Sequence, residues 1–324
     1  MLISQENDHA DSSQHAHASP RREDTGYAGH RTLTLRVGGY QDRGIRRKHK
    51  PNEDTIFIMQ GNMLSDSGAQ KPFVLLAVAD GMGGHENGRT ASRLASRSLA
   101  EYVSGSLRYK QKGPEALLSL LTAGVQYANQ VVYERNQEQQ SRMGTTMTAS
   151  LISGDTAYIA HVGDSRLYIN RPASGLTQIT QDHSYVAALA ASGIIAPEDI
   201  YTHPRRNIIY RSLGKEASVE IETSTVQLAS GDMLLLCSDG LWEMVRDQQI
   251  ASILTTPMFS LLDNAHVLIL AALEGGGIDN VSAIVAQVSD ESLATGEAGT
   301  PGDAQTISCW AGAGCSLTAS LPIA

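Results

Sequence analysis

The sequence predicts an α+β domain built in layers. Two observations carry that prediction: apolar strands follow one another through short turns, and the helical stretches come as neighbours in pairs. Strict alternation of strand and helix would instead point to a parallel βαβ winding. Residues 33–39 and 55–59 read as strands flanking a basic loop, and 73–79 is an unbroken apolar run of strand length. A helix is predicted over about 89–103. A longer one is predicted over 114–137, where Leu117, Leu120, Leu121, Val125, Ala128, Val131 and Val132 recur at helical spacing. Strands follow at 147–152 and 156–162, and Gly163-Asp164-Ser165 turns the chain into another at 166–169. Residues 219–228 and 233–237 read as strands, 247–255 and 260–273 as helices separated by Pro257, and 281–288 as the last strand. One compact domain over 31–289 is the expectation.

The flanks carry little pattern. Residues 1–30 are rich in His, Ser, Asp and Gln and are expected to form a disordered arm. Residues 290–324, rich in Gly, Ala, Ser and Thr, are expected to be a flexible tail.

Composition bounds the function. The chain has 324 residues, 41% of them hydrophobic and only 5% aromatic, so Ala, Val, Leu and Ile must build its core. A net charge of −9 argues against general affinity for nucleic acid. One basic loop (Arg43, Arg46, Arg47, Lys48, His49, Lys50) lacks interleaved aromatics and does not reverse that conclusion. The 3 cysteines, Cys237, Cys309 and Cys315, are too few and scattered for a disulfide framework. No basic segment followed by an apolar stretch opens the chain. No apolar run approaches the roughly 20 residues needed to cross a bilayer. A cytoplasmic monomer without nucleic-acid or membrane partners is expected.

Aspartates beside small residues carry the functional signal: Asp54 in Asn52-Glu53-Asp54, Asp80 in Asp80-Gly81-Met82-Gly83-Gly84-His85, Asp164 in Gly163-Asp164-Ser165-Arg166, Asp239 in Ser238-Asp239-Gly240, and Asp279 in Asp279-Asn280. Asp80 closes the run 73–79, and Asp239 closely follows the run 233–237. A carboxylate at the end of a buried strand is costly unless a cation or a hydrogen-bond network compensates it. Several such ends together suggest an oxygen cage for hard divalent cations such as Mg²⁺ or Mn²⁺.

With Gly144-Thr145-Thr146 and Asp182-His183-Ser184, these fragments form an ordered series over most of the domain. The series resembles the metal-dependent protein phosphatases, the type 2C serine/threonine enzymes in their bacterial form. The resemblance implies a four-layer α-β-β-α sandwich with two central antiparallel sheets. It implies two Mn²⁺ or Mg²⁺ ions, with room for a weaker third, and hydrolysis of phosphoserine and phosphothreonine by a metal-bridging hydroxide. The expected partners are phosphorylated proteins, substrates of a serine/threonine kinase.

Residue by residue, Asp80 is expected to bridge the metals, with the Gly81 carbonyl facing one of them. Asp239 and Asp279 complete the second ion, and Glu53 and Asp54 act through waters or the outer shell. Asp164 is either a ligand of the third ion together with Asp239 or an Asx-type turn residue. His85 is either a general acid or a structural hydrogen-bonding residue. For the phosphate clamp, counting from Gly44 points to Arg47, with Arg46 in reserve; a guanidinium offers the planar fork that His49 lacks. Residues 182–213 correspond to the family's flap beside the active site. There Arg205, Arg206 and Arg211 are candidates to meet a substrate's acidic flank, and Asn207 falls near a third-metal ligand of some relatives. Cysteine-phosphatase chemistry is disfavoured, since Glu243 stands where Cys-x5-Arg needs its arginine. The remaining alternative is a non-catalytic relative that binds phosphoproteins or regulates a kinase, which would be expected to lose carboxylates that this chain keeps.

Overall fold

In the computed structural model, residues 32–64, 68–84, 86–109, 113–256, 260–290, 307–310 and 315–322 are described. Strands β1 (Thr32–Asp42), β2 (Asp54–Leu64) and β3 (Gln70–Met82) are followed by helices α1 (Glu86–Ser106) and α2 (Gly113–Gln139). Strands β4 (Gly144–Thr145), β5 (Met147–Ser153), β6 (Thr156–Val162), β7 (Arg166–Arg171) and β8 (Gly175–Gln178) come next. Helix α3 (Tyr185–Ala191) and a 3-10 turn (Pro197–Tyr201) lead to β9 (Glu222–Gln227) and β10 (Met233–Cys237). Helices α4 (Asp239–Trp242), α5 (Asp247–Thr255) and α6 (Leu261–Glu274) precede β11 (Val281–Asp290), β12 (Ile307–Trp310) and β13 (Cys315–Pro322).

The strands form two sheets, ordered β13-β1-β11-β10-β7-β8 and β12-β2-β3-β5-β6-β9, with β4 beside β3. The recorded strand pairs are antiparallel. The continuous apolar runs are explained by two-sided burial. In β3, Phe73, Leu75, Ala77 and Ala79 face α1 and α2, while Val74, Leu76 and Val78 face the other sheet. In β10, Met233, Leu235 and Cys237 face the α4–α6 layer, and Leu234 and Leu236 fill the space between the sheets. The result is the four-layer α-β-β-α sandwich.

Two expectations need correction. The stretch 290–324 is not a patternless tail throughout, because β13 pairs with β1 along its length and buries Leu317, Ala319 and Leu321. Short β12 pairs with β2. The strand expected over 219–228 is confined to Glu222–Gln227, where exposure alternates residue by residue. Cys237 is a free, buried thiol, and Cys315 is disulfide-bonded. The arm 1–30, residues 291–306 and 311–314, and His85 lie outside the described residues.

Topology sets the position of the site. Asp54 opens β2 directly opposite Asp80 near the end of β3. In the other sheet the end of β10 is flanked by the starts of β7 and β11, with Cys237 opposite Arg166 and Ala283. The segments carrying Asp164, Asp239 and Asp279 therefore gather at one edge of the sandwich.

Candidate metal centre

Three features place the backbone around Asp80. The Asp80 N–H donates to Thr146 Oγ1 at 2.8 Å, the Thr145 hydroxyl donates to the Asp80 carbonyl at 2.9 Å, and Gly81 N–H donates to the Glu53 carbonyl at 3.1 Å. A side chain at Gly81 would collide with the Gly88 carbonyl, so glycine lets the start of α1 press against this strand end. Gly44 does the same on the other side. It adopts φ +76°, and a Cβ there would strike the Asp279 carbonyl.

Four aspartates gather. Asp54 and Asp164 are buried, and Asp80 and Asp239 keep part of their surface open at the rim. Desolvation holds the Asp80 carboxyl well above the usual carboxylate range, and the charges of Asp54, Asp239 and Asp164 add to it. Asp164 is raised well above the usual value by burial and then by Asp239 and Asp182. Asp54 and Asp239 are raised too, first by burial. As bare anions these groups oppose one another; a divalent cation among them reverses the sign of the interaction.

The unsatisfied oxygens point the same way. Glu53 Oε1, Asp54 Oδ1 and Asp239 Oδ1 are buried side-chain atoms without a hydrogen-bond partner. A buried carboxylate oxygen with nothing to accept from is costly, and a hard cation is the group that such oxygens fit. The other Asp54 oxygen, Oδ2, accepts from the Ser238 and Ser282 hydroxyls at 2.7 and 2.8 Å. These bonds tie the two sheets together and aim the free oxygen.

Arg47 is the counter-charge on the open side. Its guanidinium forks between the Glu53 and Asp279 carboxylates, and its positive charge also lowers the Asp54 and Asp239 carboxyls. Arg46 is exposed and is fixed through its backbone N–H to the Gly277 carbonyl at 3.0 Å. The loop register chosen from Gly44 thus brings Arg47, and not His49, among the carboxylates. Asp279 is partly open, with 40% side-chain exposure. Asn280 beside it accepts from Glu53 N–H at 2.8 Å and donates to the Arg43 carbonyl at 2.8 Å, locking the loop to β11.

The Asp164 turn is held by a buried network. Arg166 donates to Asp182 through Nε and Nη2, with a shortest distance of 2.7 Å, and lies over the Trp242 ring at 3.6 Å. Trp242 Nε1 donates to the Asp164 carbonyl at 2.9 Å. Gly163 N–H donates to His183 Nδ1 at 3.0 Å, and His183 N–H returns to the Gly163 carbonyl at 2.7 Å. His161, His183 and Glu222 also lie close enough together to hold an ion. However, the two nitrogens of His161 already meet Thr148 and Gln181, at 2.9 and 3.1 Å, and His183 Nε2 meets Glu222 at 3.3 Å. Burial and the neighbouring His183 lower His161 to about 4, so it is a neutral core residue.

The flap arginines are largely engaged. Arg206 pairs with Glu243 at 3.4 Å, Arg211 pairs with Glu220 at 2.6 Å, and Arg205 lies 5.6 Å from the Tyr185 ring centre. Asn207 is exposed. Sequence reasoning passed over Ser282, Asn280 as a loop lock, and Trp242 as a holder of Asp164. Ser282 gave no signal, being one small residue in an apolar strand, whereas Asn280 and Trp242 sit inside motifs already marked for their aspartates.

A two-sheet sandwich whose edge gathers acidic strand ends beside one guanidinium has the donor set for hard divalent cations. The family model for protein phosphatase 2C matches residues 43–274. The serine/threonine protein phosphatase PstP of Mycobacterium tuberculosis is 40% identical over 262 residues, covering 80% of this chain and 46% of that protein. This chain therefore spans about half the length of that relative. The serine/threonine phosphatase stp of Listeria welshimeri is 36% identical over 248 residues, covering 76% of this chain and 93% of the relative. The crystal structure of the catalytic domain of PstP in complex with two manganese ions superposes with a TM-score of 0.66 at 36% identity, covering 80% of this chain and 100% of that one. The chain belongs to the protein phosphatase 2C family.

Proposed function

We propose that this chain is a Mn²⁺- or Mg²⁺-dependent phosphatase that hydrolyses phosphoserine and phosphothreonine in protein substrates. The observation that carries this reading is the gathering of Asp54, Asp80, Asp164 and Asp239, with orphaned oxygens on Glu53, Asp54 and Asp239, beside the Arg47 fork. Asp80 and the Gly81 carbonyl, together with Asp239 and Asp279, would hold the cations. Glu53 and Asp54 support from behind, and Asp164 with Asp239 serves a weaker third ion. When bound, such ions supply an acidified water and neutralise charge developing on the phosphoryl group.

The chain's own groups do the rest. The Arg47 guanidinium, which forks between Glu53 and Asp279, has the planar geometry to hold two phosphate oxygens. Ser238 and Ser282 keep Asp54 fixed, and Thr145 and Thr146 keep the Asp80 backbone fixed, so the oxygens need not reorganise during the reaction. His85 is retained only as a candidate proton donor to the leaving alkoxide. Among the described residues no helix is long and apolar enough to cross a membrane. A monomer acting in the cytoplasm on the products of a serine/threonine kinase, without nucleic acid, completes the proposal.

Hydrolysis of a generic phosphothreonine peptide, with Mn²⁺ and with excess chelator, tests it. Turnover that requires the metal supports the reading; equal turnover in chelator sinks it.

A further inference from the structure

Beside the acidic centre lies a groove of about 510 Å³, lined by Met82, Arg142, Met143, Ile209, Ser212 and Lys215 among others. It adjoins the centre through β3 and β4, because Met82 is two residues beyond Asp80 and pairs with Gly144. None of its lining residues is acidic. Arg142 and Lys215 are exposed, and among the described residues neither side chain has a recorded ion pair or hydrogen bond. In a chain of net charge −9, two unengaged cations on one groove are a local reversal of sign.

The groove is built on pinned backbone. Buried Asn136 donates to the Met143 carbonyl at 2.7 Å and to the Gly214 carbonyl at 2.9 Å, while its Oδ1 accepts from Met143 N–H at 3.0 Å. One side chain on α2 thus holds the wall carrying Arg142 and the wall carrying Lys215. Asn129, two turns earlier on the same helical face, accepts from Gly214 N–H at 2.8 Å and donates to the Glu216 carbonyl at 3.0 Å. The apolar floor of Met82, Met143 and Ile209 can take an aliphatic side chain, and the two cations at its edge are placed for carboxylates.

We infer that this groove is the subsite for the polypeptide flanking the phosphorylated residue, and that Arg142 and Lys215 select substrates with acidic residues there. The flap arginines expected to do this are already engaged by Glu243, Glu220 and Tyr185. The inference rests on the phosphatase reading above.

The test compares two phosphothreonine peptides identical except that flanking Glu residues in one are Gln in the other. The ratio of their kcat/KM values is measured with Mn²⁺ for the unchanged protein and for Arg142→Glu, Lys215→Glu and the double variant. The unchanged protein should favour the acidic peptide by roughly fivefold, as expected for a few exposed charge pairs, mainly through KM, and raised salt should shrink the preference. The double variant should bring the ratio to one or below. A ratio unchanged in the double variant, or no preference in the unchanged protein, overturns the assignment. Failure of the unchanged protein to hydrolyse p-nitrophenyl phosphate with Mn²⁺ would instead overturn the phosphatase reading, and the groove assignment with it.

Discussion

Asp54 and Asp80 stand directly opposite each other across the β2–β3 ladder. Like charges at such a pair destabilise a sheet, and here both carboxyls are raised by burial. The pair is therefore a cost to the fold unless a cation joins it. Neutralising Asp80 as Asp80→Asn should leave the metal-free protein at least as stable as the original, while lowering Mn²⁺-dependent turnover by about 100-fold or more. Thermal melting in chelator and a phosphopeptide assay check both halves. A variant that melts lower and still turns over normally would contradict the bridging role.

Arg47 alone of the basic loop forks between two carboxylates of the site. Arg47→Ala should raise KM and lower kcat for a phosphopeptide, about 10-fold or more in kcat/KM for loss of a charge-assisted fork. Arg46→Ala and Lys48→Ala should change it less than about twofold, since both residues are exposed. Steady-state kinetics on the three variants decide the matter, and a crippling effect at Arg46 would mean that the loop acts in another register.

Much of this was legible in the sequence because alternation has a physical cause. Runs such as 73–79 and 233–237 are apolar on both faces because each strand is covered by helices on one side and by the other sheet on the other. The family series then placed the acidic strand ends at one edge. The final strand was missed although its signal was present: Leu317, Ala319 and Leu321 face inward between Ser316, Thr318 and Ser320. Small residues and surrounding Gly-rich sequence hid a true period of two. Helix α3 was missed because its Ala-rich stretch buries only Val186 and so carries no stripe. The engagement of Arg206 and Arg211 by Glu243 and Glu220 depends on partners brought together by folding, which spacing does not reveal.

The pH dependence follows from the direction of the shifts. Asp54, Asp80, Asp164 and Asp239 are all raised, so the folded metal-free protein holds protons to higher pH than the unfolded chain. Their contribution to stability is present at low pH and is lost as pH rises above the ordinary carboxylate value of about 4 and through the raised values. Mn²⁺ must displace those protons, so its affinity rises over the same window. Melting in chelator should show the advantage of Asp80→Asn over the original growing with pH. Calorimetry should show Mn²⁺ binding strengthening in step; binding indifferent to pH would contradict the coupling.

The buried Arg166–Asp182 pair holds the Asp164 turn from behind. Asp182→Asn strands a buried guanidinium and should cost about 3–5 kcal/mol in stability by denaturant titration. Asp164→Asn should leave two stronger Mn²⁺ sites and remove a weaker one. Retention of all binding in Asp164→Asn would make that aspartate a turn residue only.

The orphaned oxygens and mutually opposed carboxyls of the acidic edge call for divalent cations. Calorimetric titration of the metal-free protein with Mn²⁺, beside Asp239→Asn, tests that requirement most directly. The account predicts two stronger sites in the original protein and loss of at least one in the variant, whose fold by circular dichroism is unchanged. No measurable binding by the original protein, or an identical isotherm from the variant, would contradict it.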